Sequence, residues 1–166
     1  GCPPLELPLW VDDRGKPHLP TDMASPFNLS HSGDVAVVVV GSHRPVGVDV
    51  ETWSQQAGML DLVEQFMSLA EQDQVKGLPT MQATTSCLRA WTRKEAVLKA
   101  LGTGLAQGMS WQHIQIDRDD HGAPLVLLSG QALQRLQQAG GGSMLLSLSD
   151  EREQALAFVV WSASAG

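Results

Sequence analysis

Short segments of apolar residues, most of them alternating with polar or small ones, recur along the chain and predict β-strands. The segment VGVDVE at 46–51 puts three valines on one face and Gly47, Asp49 and Glu51 on the other. The turn signal GSHRP before it predicts an antiparallel hairpin with the preceding strand. The predicted strands are 27–30, 35–40, 46–51, 111–117, 124–128, 143–149 and 155–162.

Apolar residues at helical spacing mark the remaining regular segments. MLDLVEQFM at 59–67 predicts a helix, and Ser68 followed by Glu71 predicts a capping box that opens a second, short helix. The longest helix is predicted at 81–101, where an apolar stripe ends at two glycines. QALQRLQQ at 131–138 predicts a last short helix. The stripe of the long helix consists of Leu88, Trp91, Leu98 and Leu101.

Strands and helices occur in runs, and the strands are joined by connections of hairpin length. This order predicts an α+β fold with a mostly antiparallel sheet packed on one long helix. The 166 residues suit a single domain. We expect residues 1–26, rich in proline and turn signals, to form an extended entry segment, and residues 27–166 to form the α+β core.

The composition is that of a folded protein outside the membrane. Hydrophobic residues make up 43% and charged residues 17%, which favours a globular fold over a disordered chain. No apolar run approaches the roughly 18–20 residues of a membrane helix, and the first residues lack a secretory pattern. Cys2 and Cys87 lie far apart and form no CxxC motif. We therefore expect free thiols and a cytoplasmic location.

Charge narrows the choice of partners. The net charge of −7 and the pI near 5.0 argue against nucleic-acid binding, which requires a broad basic surface. Four of the eleven basic residues nevertheless fall within the long predicted helix, which indicates either a local docking patch for an anionic partner or a solvated helix face. They are Arg89, Arg93, Lys94 and Lys99.

Two acids alternate along the strand at 46–51. Residues i and i+2 of a strand point to the same side, about 6.5–7 Å apart. Asp49 and Glu51 can therefore share one hard cation, and oxygen ligands of this kind suit Mg²⁺. The alternative is a strand end that faces water.

Glu95 and Lys99 lie four residues apart on one face of the long helix. This spacing is typical of a surface salt bridge worth roughly 0.2–0.5 kcal/mol. It also suits a metal-assisted phosphoryl site, in which a carboxylate holds the ion and a lysine neutralises charge on the transferring oxygens.

Two turns add groups that suit phosphate. SHSG at 30–33 brings hydroxyls, an imidazole and turn amides together, as a phosphate nest or only as a hydrogen-bonded turn. Lys16 lies in another turn, where a lysine is usually just solvated. GTGLAQG at 102–108 lacks the lysine of a P-loop, and the five histidines have no zinc spacing.

Taken together, these segments resemble a known enzyme family. GKP, FNLSHSGD, VGVDVE, FMSLAE and WTRKEAVLKALGTGL occur in this order across residues 15–105. The chain thereby resembles the Sfp-type 4′-phosphopantetheinyl transferases, and WTRKEA is similar to the branch with tryptophan and KEA at this helix.

The resemblance implies Mg²⁺-dependent transfer of 4′-phosphopantetheine from coenzyme A to a serine of an acyl or peptidyl carrier protein, with release of adenosine 3′,5′-bisphosphate. It implies that the metal ligands are Asp49, Glu51 and Glu95. It further implies that Lys99 contacts the diphosphate, that Ser30 and His31 bind the coenzyme's phosphates, that Lys16 reaches the adenosine and that Glu71 is the general base.

Members of this type usually have two similar halves, and the resemblance begins near the end of the first. We therefore expect the chain to cover mainly the C-terminal half, and a homo-oligomer or a partner chain to replace the rest. The alternative function is a non-catalytic module that binds coenzyme A or the carrier protein. Carrier docking is expected at Arg89, Arg93 and Lys94.

Overall fold

The structure, a computed structural model, describes residues 7–13, 15–20, 25–55, 57–151 and 153–162. The strands are β1 (Trp10–Val11), β2 (Pro17–His18), β3 (Phe27–Ser32), β4 (Val35–Val40), β5 (Val46–Thr52), β6 (Ile114–Arg118), β7 (Pro124–Leu128), β8 (Ser143–Glu151) and β9 (Gln154–Ser162). The α-helices are α1 (Val63–Phe66), α2 (Leu69–Val75), α3 (Thr80–Leu101) and α4 (Gly130–Gln138). Short 3₁₀ helices cover Trp53–Gln55, Met59–Leu62 and Trp111–His113.

The central sheet is antiparallel, with strand order β5-β9-β8. Phe158 of β9 lies opposite Val48 on one side and opposite Ser147 on the other. Every second residue of β9 is buried, so that one face of the sheet belongs to the core. With α3 packed against β5 and β9, this arrangement confirms the predicted α+β class.

The strands β3 and β4 form a separate antiparallel hairpin, and the predicted hairpin between β4 and β5 is wrong because β5 pairs with β9. The other edge of β5 donates its backbone N–H groups to side chains of β3. The bonds are Val48 N to Asn28 Oδ1 at 3.0 Å, Val50 N to Ser30 Oγ at 3.3 Å and Thr52 N to Ser32 Oγ at 3.0 Å. Polar side chains at alternate positions of β3 thus satisfy backbone groups that a hairpin partner would otherwise bind.

Helix α3 approaches the sheet most closely at Gly47. A Cβ at residue 47 would lie 2.1 Å from the Ala96 carbonyl oxygen and 2.6 Å from the Ala100 amide nitrogen. Only glycine lets the helix lie this close to β5. Asp49 is two residues further along the same face of the strand, and the close approach brings it to Lys99 of the helix.

Apolar residues of α3 contribute to two core clusters. The larger joins α3 to α4, β6, β8 and β9, and the smaller forms around Phe66 and Leu88. The predicted apolar stripe is confirmed, since Leu88, Leu98 and Leu101 are buried and Trp91 packs against the smaller cluster.

Several predicted boundaries shift. The strand predicted at 27–30 is β3, which continues to Ser32, so the turn of the β3–β4 hairpin is only Gly33 and Asp34. The segment 111–117 begins with a 3₁₀ turn, and 59–67 is half 3₁₀ and half α-helical. The Ser68–Glu71 capping box is confirmed, because each side chain bonds the other residue's backbone N–H.

The entry segment is not wholly loop-like. Within it, β1 and β2 pair as a short antiparallel ladder. Residues 1–6, 14 and 21–24 of this segment, including Cys2, lie outside the described residues. Cys87 is a buried free thiol. Among the described helices, none combines the length and apolarity needed to cross a bilayer.

Gly47→Ala is expected to lower the free energy of unfolding by about 3 kcal/mol, at the upper end of overpacking costs, because the methyl group meets backbone atoms. Urea unfolding followed by circular dichroism measures this loss. Gly122→Ala is the control, since residue 122 has φ +80 and nothing within 4 Å, and its strain alone costs about 1 kcal/mol. Equal losses in the two variants would contradict the close approach at Gly47.

Candidate functional site

A buried carboxylate and a lysine meet where α3 crosses β5. Asp49 Oδ1 accepts hydrogen bonds from Lys99 Nζ at 2.7 Å and from Ser30 Oγ at 2.9 Å. Asp49 is only 3% exposed, and its Oδ2 atom is buried without a hydrogen-bond partner in the described part of the chain. One oxygen of this carboxylate is therefore satisfied, and the other has no donor among the described residues.

Ser30 supports this pair with its whole hydrogen-bonding capacity. Its hydroxyl donates to Asp49 and accepts from Lys99 Nζ at 2.9 Å and from Val50 N at 3.3 Å. A serine hydroxyl has one donor and two acceptor positions. All three are used, so Ser30 has none left for the predicted contact with a coenzyme phosphate in this arrangement.

Two more carboxylates lie near Asp49 but are held by other donors. Ser32 Oγ donates to Glu51 Oε2 at 3.0 Å, and the indole N–H of Trp111 donates to Glu95 Oε1. The charge of Glu51 helps to raise the pKa of Asp49, and the charge of Asp49 helps to raise the pKa of Glu95. Asp49 is thus close enough to both other acids to repel them.

The three predicted metal ligands do not converge on one point. Among the described residues, no three Asp, Glu, His or Cys side chains lie close enough together to hold a metal ion. The donor set nevertheless fits Mg²⁺, since Asp49 Oδ2 is buried and unpartnered and Glu95 adds a second hard oxygen ligand. Mg²⁺ is usually bound by one or two carboxylates and completes its shell with water and substrate phosphates.

Burial is the main influence on both acids. It raises the pKa of Asp49 to about 6 from the ordinary 3.8, although the Lys99 ammonium opposes it. Burial also raises the pKa of Glu95, against the lowering effect of the Trp111 hydrogen bond. A bound cation would favour the charged form of both groups.

A cleft of about 270 Å³ opens beside these acids along α3. Lys16, Glu95 and Lys99 line it together with Gly102 and Gly104 at the end of the helix. Burial lowers the pKa of Lys16. The structure thereby brings Lys16 to the same cleft as Glu95 and Lys99, although Lys16 is more than seventy residues away in sequence.

His31 is not brought into this cleft. It follows Ser30 in β3, so its side chain points to the opposite, exposed face. The predicted turn that would have joined the two begins only after Ser32. The extended strand therefore separates the two residues that the sequence grouped as SHSG.

Glu71 belongs to a second network, built around Lys94. Glu71 Oε2 accepts from Ser68 N and from Lys94 Nζ, both at 2.7 Å. Lys94 Nζ also donates to the carbonyl oxygens of Phe66 at 2.8 Å and Trp111 at 3.3 Å. The Lys94 side chain is 0% exposed, so the expectation that Lys94 belongs to a surface docking patch is wrong.

Sequence patterns do not predict the contacts of Lys94 and Trp111. They place Lys94 among several helix cations and Trp111 at the start of a strand. A lysine beside the apolar stripe of α3 was the only available signal, because a residue next to a buried position is often buried itself.

The stability of the metal-free protein is expected to depend on pH through Asp49. Between pH 3.8 and about 6 the folded state keeps a proton that the unfolded state has lost, so stability falls as pH rises, by about 1.4 kcal/mol per pH unit from this group. Urea unfolding of wild type and Asp49→Asn from pH 4 to 7 measures it. A stability difference that does not change with pH would contradict the raised pKa.

The chain is similar to known proteins of one family. The family described as the 4′-phosphopantetheinyl transferase superfamily matches residues 45–159. A holo-(acyl-carrier-protein) synthase of Shewanella amazonensis is 50% identical over 72 residues, which are 43% of this chain and 58% of that protein. One from Shewanella woodyi is 38% identical over 55% of this chain and 70% of that protein. The match thus spans little more than half the length of the first of these relatives.

Solved structures are similar over a longer stretch. A holo-(acyl-carrier-protein) synthase from Bacillus anthracis in complex with CoA (3′,5′-ADP) is 29% identical, with a TM-score of 0.59 over 72% of this chain and 96% of that chain. The Neisseria meningitidis enzyme is 26% identical, with a TM-score of 0.61 over 71% and 97%. Because the family match covers well over half of the 166 residues, the protein belongs to the 4′-phosphopantetheinyl transferase superfamily.

Proposed function

We propose that this protein transfers 4′-phosphopantetheine from coenzyme A to a serine of an acyl or peptidyl carrier protein. The observation that carries the proposal is the buried Asp49, with Lys99 on one oxygen and no partner on the other, next to Glu95 at an open cleft. The names of the relatives, holo-(acyl-carrier-protein) synthases, support the same reaction.

In the proposed reaction the serine oxygen attacks the phosphorus that carries the pantetheine arm. The bond from that phosphorus to the bridging oxygen of the diphosphate breaks, the serine gives its proton to a general base or to water, and adenosine 3′,5′-bisphosphate leaves. Lys99 Nζ stabilises the negative charge on the departing oxygen. Asp49 and Glu95, with Glu51 beside them, would hold Mg²⁺, which would neutralise the diphosphate.

Coenzyme A is proposed to lie in the cleft along α3. Lys16 and Lys99 put two cationic side chains on its wall, which suits a molecule with several phosphates. Solved relatives from Bacillus anthracis and Helicobacter pylori are in complexes with CoA (3′,5′-ADP) and coenzyme A. The proposed contact of His31 with the 3′-phosphate requires the coenzyme to reach the other face of β3.

Glu71 is proposed to influence the reaction through Lys94, without contact to the reacting atoms. The general-base role stays a prediction, and it faces a physical difficulty. Both the Lys94 ammonium and the Ser68 amide donate to Glu71 Oε2, so this oxygen would have to give up one of these bonds before it could take the proton of a serine. Glu71 has the contacts of a residue that holds Lys94 in place.

The carrier protein is proposed to dock near Arg93. Arg89, Arg93 and Glu71 line a groove of about 290 Å³, and Arg89 is paired with Asp150 at 2.7 Å. Arg93 carries no comparable ion pair among the described residues, and burial lowers its pKa. Its charge is thus left for a partner.

Arg93→Gln is expected to raise the KM for the carrier protein by about tenfold at low salt with little change in kcat, since a docking charge acts on association. The effect should shrink at high salt. Steady-state transfer rates at two ionic strengths measure it. Arg135→Gln on α4 is the matched control, and equal KM values in the two variants would remove Arg93 from the docking surface.

Self-association is a further proposal for this single domain. The exposed face of the β3–β4 hairpin carries Leu29, Val38 and Val40, which are 38%, 61% and 69% exposed. A row of apolar side chains of this kind favours an interface. Light scattering after size exclusion tests it, and a monomer at high concentration would count against it.

The assignment to the Sfp-type branch is also a proposal. The motif order and the WTRKEA segment support it, whereas the relatives' names support the holo-(acyl-carrier-protein) synthase type. Incubation with a panel of apo acyl and peptidyl carrier proteins, coenzyme A and Mg²⁺, followed by mass spectrometry, tests the reaction and the carrier together. A mass gain of one phosphopantetheine that a chelator abolishes is expected. Binding of coenzyme A without any mass gain would favour the non-catalytic module.

A further inference from the structure

Trp111 stands between the two networks of the site. It begins a 3₁₀ turn after the glycine-rich loop that follows α3, and Ser110 caps this turn with a hydrogen bond to Gln112 N. Its side chain points back to the helix. There the indole N–H donates to Glu95 Oε1.

The indole of Trp111 packs on Trp91, which lies one helical turn before Glu95, with ring centroids 4.9 Å apart. Phe66 in turn packs edge-on against Trp91 at 5.4 Å. The backbone oxygen of Trp111 accepts from Lys94 Nζ at 3.3 Å. Consecutive residues of α3, Lys94 and Glu95, therefore bind Trp111 by its backbone and by its side chain.

A glutamate has three rotatable side-chain bonds, and fixing its orientation costs conformational entropy. A donor that holds one oxygen removes this freedom in advance and leaves the second oxygen for another ligand. Groups that orient a ligand in this way typically change metal affinity or activity by about 10–100-fold when they are removed. Phenylalanine keeps an aromatic ring at this position but lacks the N–H donor of tryptophan and part of its ring surface.

We propose that Trp111 is a positioning residue, whose indole N–H holds the Glu95 carboxylate ready for the divalent cation, with Lys94 and Glu71 fixing Trp111. This inference rests on the proposed transferase function. It also explains why Lys94 is buried beside the Glu71 carboxylate, which does not line the cleft along α3. The network links Glu71 to the reacting centre through three side chains without any proton transfer.

The test compares Trp111→Phe with Trp161→Phe. Trp161 is a matched control, because its side chain is buried and its indole N–H also makes one hydrogen bond, to Gly141 O at 2.9 Å, rather than to a carboxylate of the site. Binding of Mn²⁺ to the full chain with coenzyme A is followed by the electron paramagnetic resonance signal of free Mn²⁺. Affinity for coenzyme A without metal is measured by calorimetry.

We expect Trp111→Phe to raise the half-saturating Mn²⁺ concentration by about tenfold, and to leave metal-free coenzyme A binding unchanged. Trp161→Phe should leave both unchanged. Wild-type Mn²⁺ affinity in Trp111→Phe would overturn the inference alone. Wild type that neither binds Mn²⁺ nor transfers the group would overturn the proposed function and this inference with it.

A second measurement does not require Trp111→Phe to fold. The chain has five tryptophans, and the indole N–H resonances of a ¹⁵N-labelled sample report on each of them. We expect Glu95→Gln to shift one indole resonance far more than the other four. In wild type, Mg²⁺ added together with coenzyme A should shift the same resonance. If no indole resonance responds to either change, Trp111 does not hold Glu95 and the inference fails.

Discussion

Lys94→Met is expected to destabilise the protein by about 3–5 kcal/mol, the cost of removing one partner from a buried ion pair. The Lys94 side chain is 0% exposed, and Nζ donates to Glu71 and to the carbonyl oxygens of Phe66 and Trp111. Methionine fills a similar volume but leaves all three acceptors without this donor. Urea unfolding at neutral pH, followed by circular dichroism, measures the loss.

The control is Lys76→Met, which changes the same side chain at an exposed position after α2 and should cost within about 0.5 kcal/mol. Adding Glu71→Gln to Lys94→Met should recover part of the loss, because the partly buried Glu71 carboxylate is then no longer left without its cation. If Lys94→Met and Lys76→Met unfold at the same urea concentration, Lys94 does not join the segments as the structure shows.

Local patterns predicted the elements better than their partners. Alternation along 46–51 correctly marked β5, and the turn before it correctly ended β4. The hairpin between them was wrong because a turn signal says where a chain reverses, not which strand it then joins. One edge of β5 is hydrogen-bonded to side chains of Asn28, Ser30 and Ser32 instead of to a strand backbone. No sequence pattern predicts that serine hydroxyls replace a backbone ladder in this way.

The same limit applies to the charged residues of α3. The spacing of Glu95 and Lys99 fits a local salt bridge, yet in the structure Lys99 bonds Asp49 and Glu95 bonds Trp111. Both partners are distant in sequence, and a buried partner outweighs an exposed helical pair worth roughly 0.2–0.5 kcal/mol. Helical spacing predicted that the two side chains share a face. It could not predict what lies opposite that face.

The burial of Lys94 also depends on segments that are distant in sequence. Neighbouring helical residues point about 100° apart, so Lys94 cannot share the face of Glu95. The sequence did not reveal that the chain around Phe66 and Trp111 covers Lys94, because these segments are local neither to the helix nor to each other. Motifs singled out Asp49, Glu95 and Lys99, whereas the hydrogen bonds that these residues make in the structure depend on long-range packing.

Asp49→Asn is expected to lower the turnover of phosphopantetheine transfer by at least about 100-fold, because it removes a charged oxygen at the point where charge must be neutralised. Stability should change little or rise at pH 7, since the buried carboxylate has a raised pKa and one unpartnered oxygen. Turnover is measured by mass spectrometry of the carrier protein, and stability by urea unfolding of the same samples.

Asp61→Asn is the control, because Asp61 is an exposed acid outside the cleft, and it should keep wild-type turnover. The thermal shift that Mg²⁺ and coenzyme A together cause in wild type should be absent in Asp49→Asn and present in Asp61→Asn. Lost turnover with lost stability would indicate a folding defect instead. Wild-type turnover in Asp49→Asn would mean that the reaction does not use the carboxylate at the centre of the cluster, and the site would have to be sought around Glu71 and Arg93.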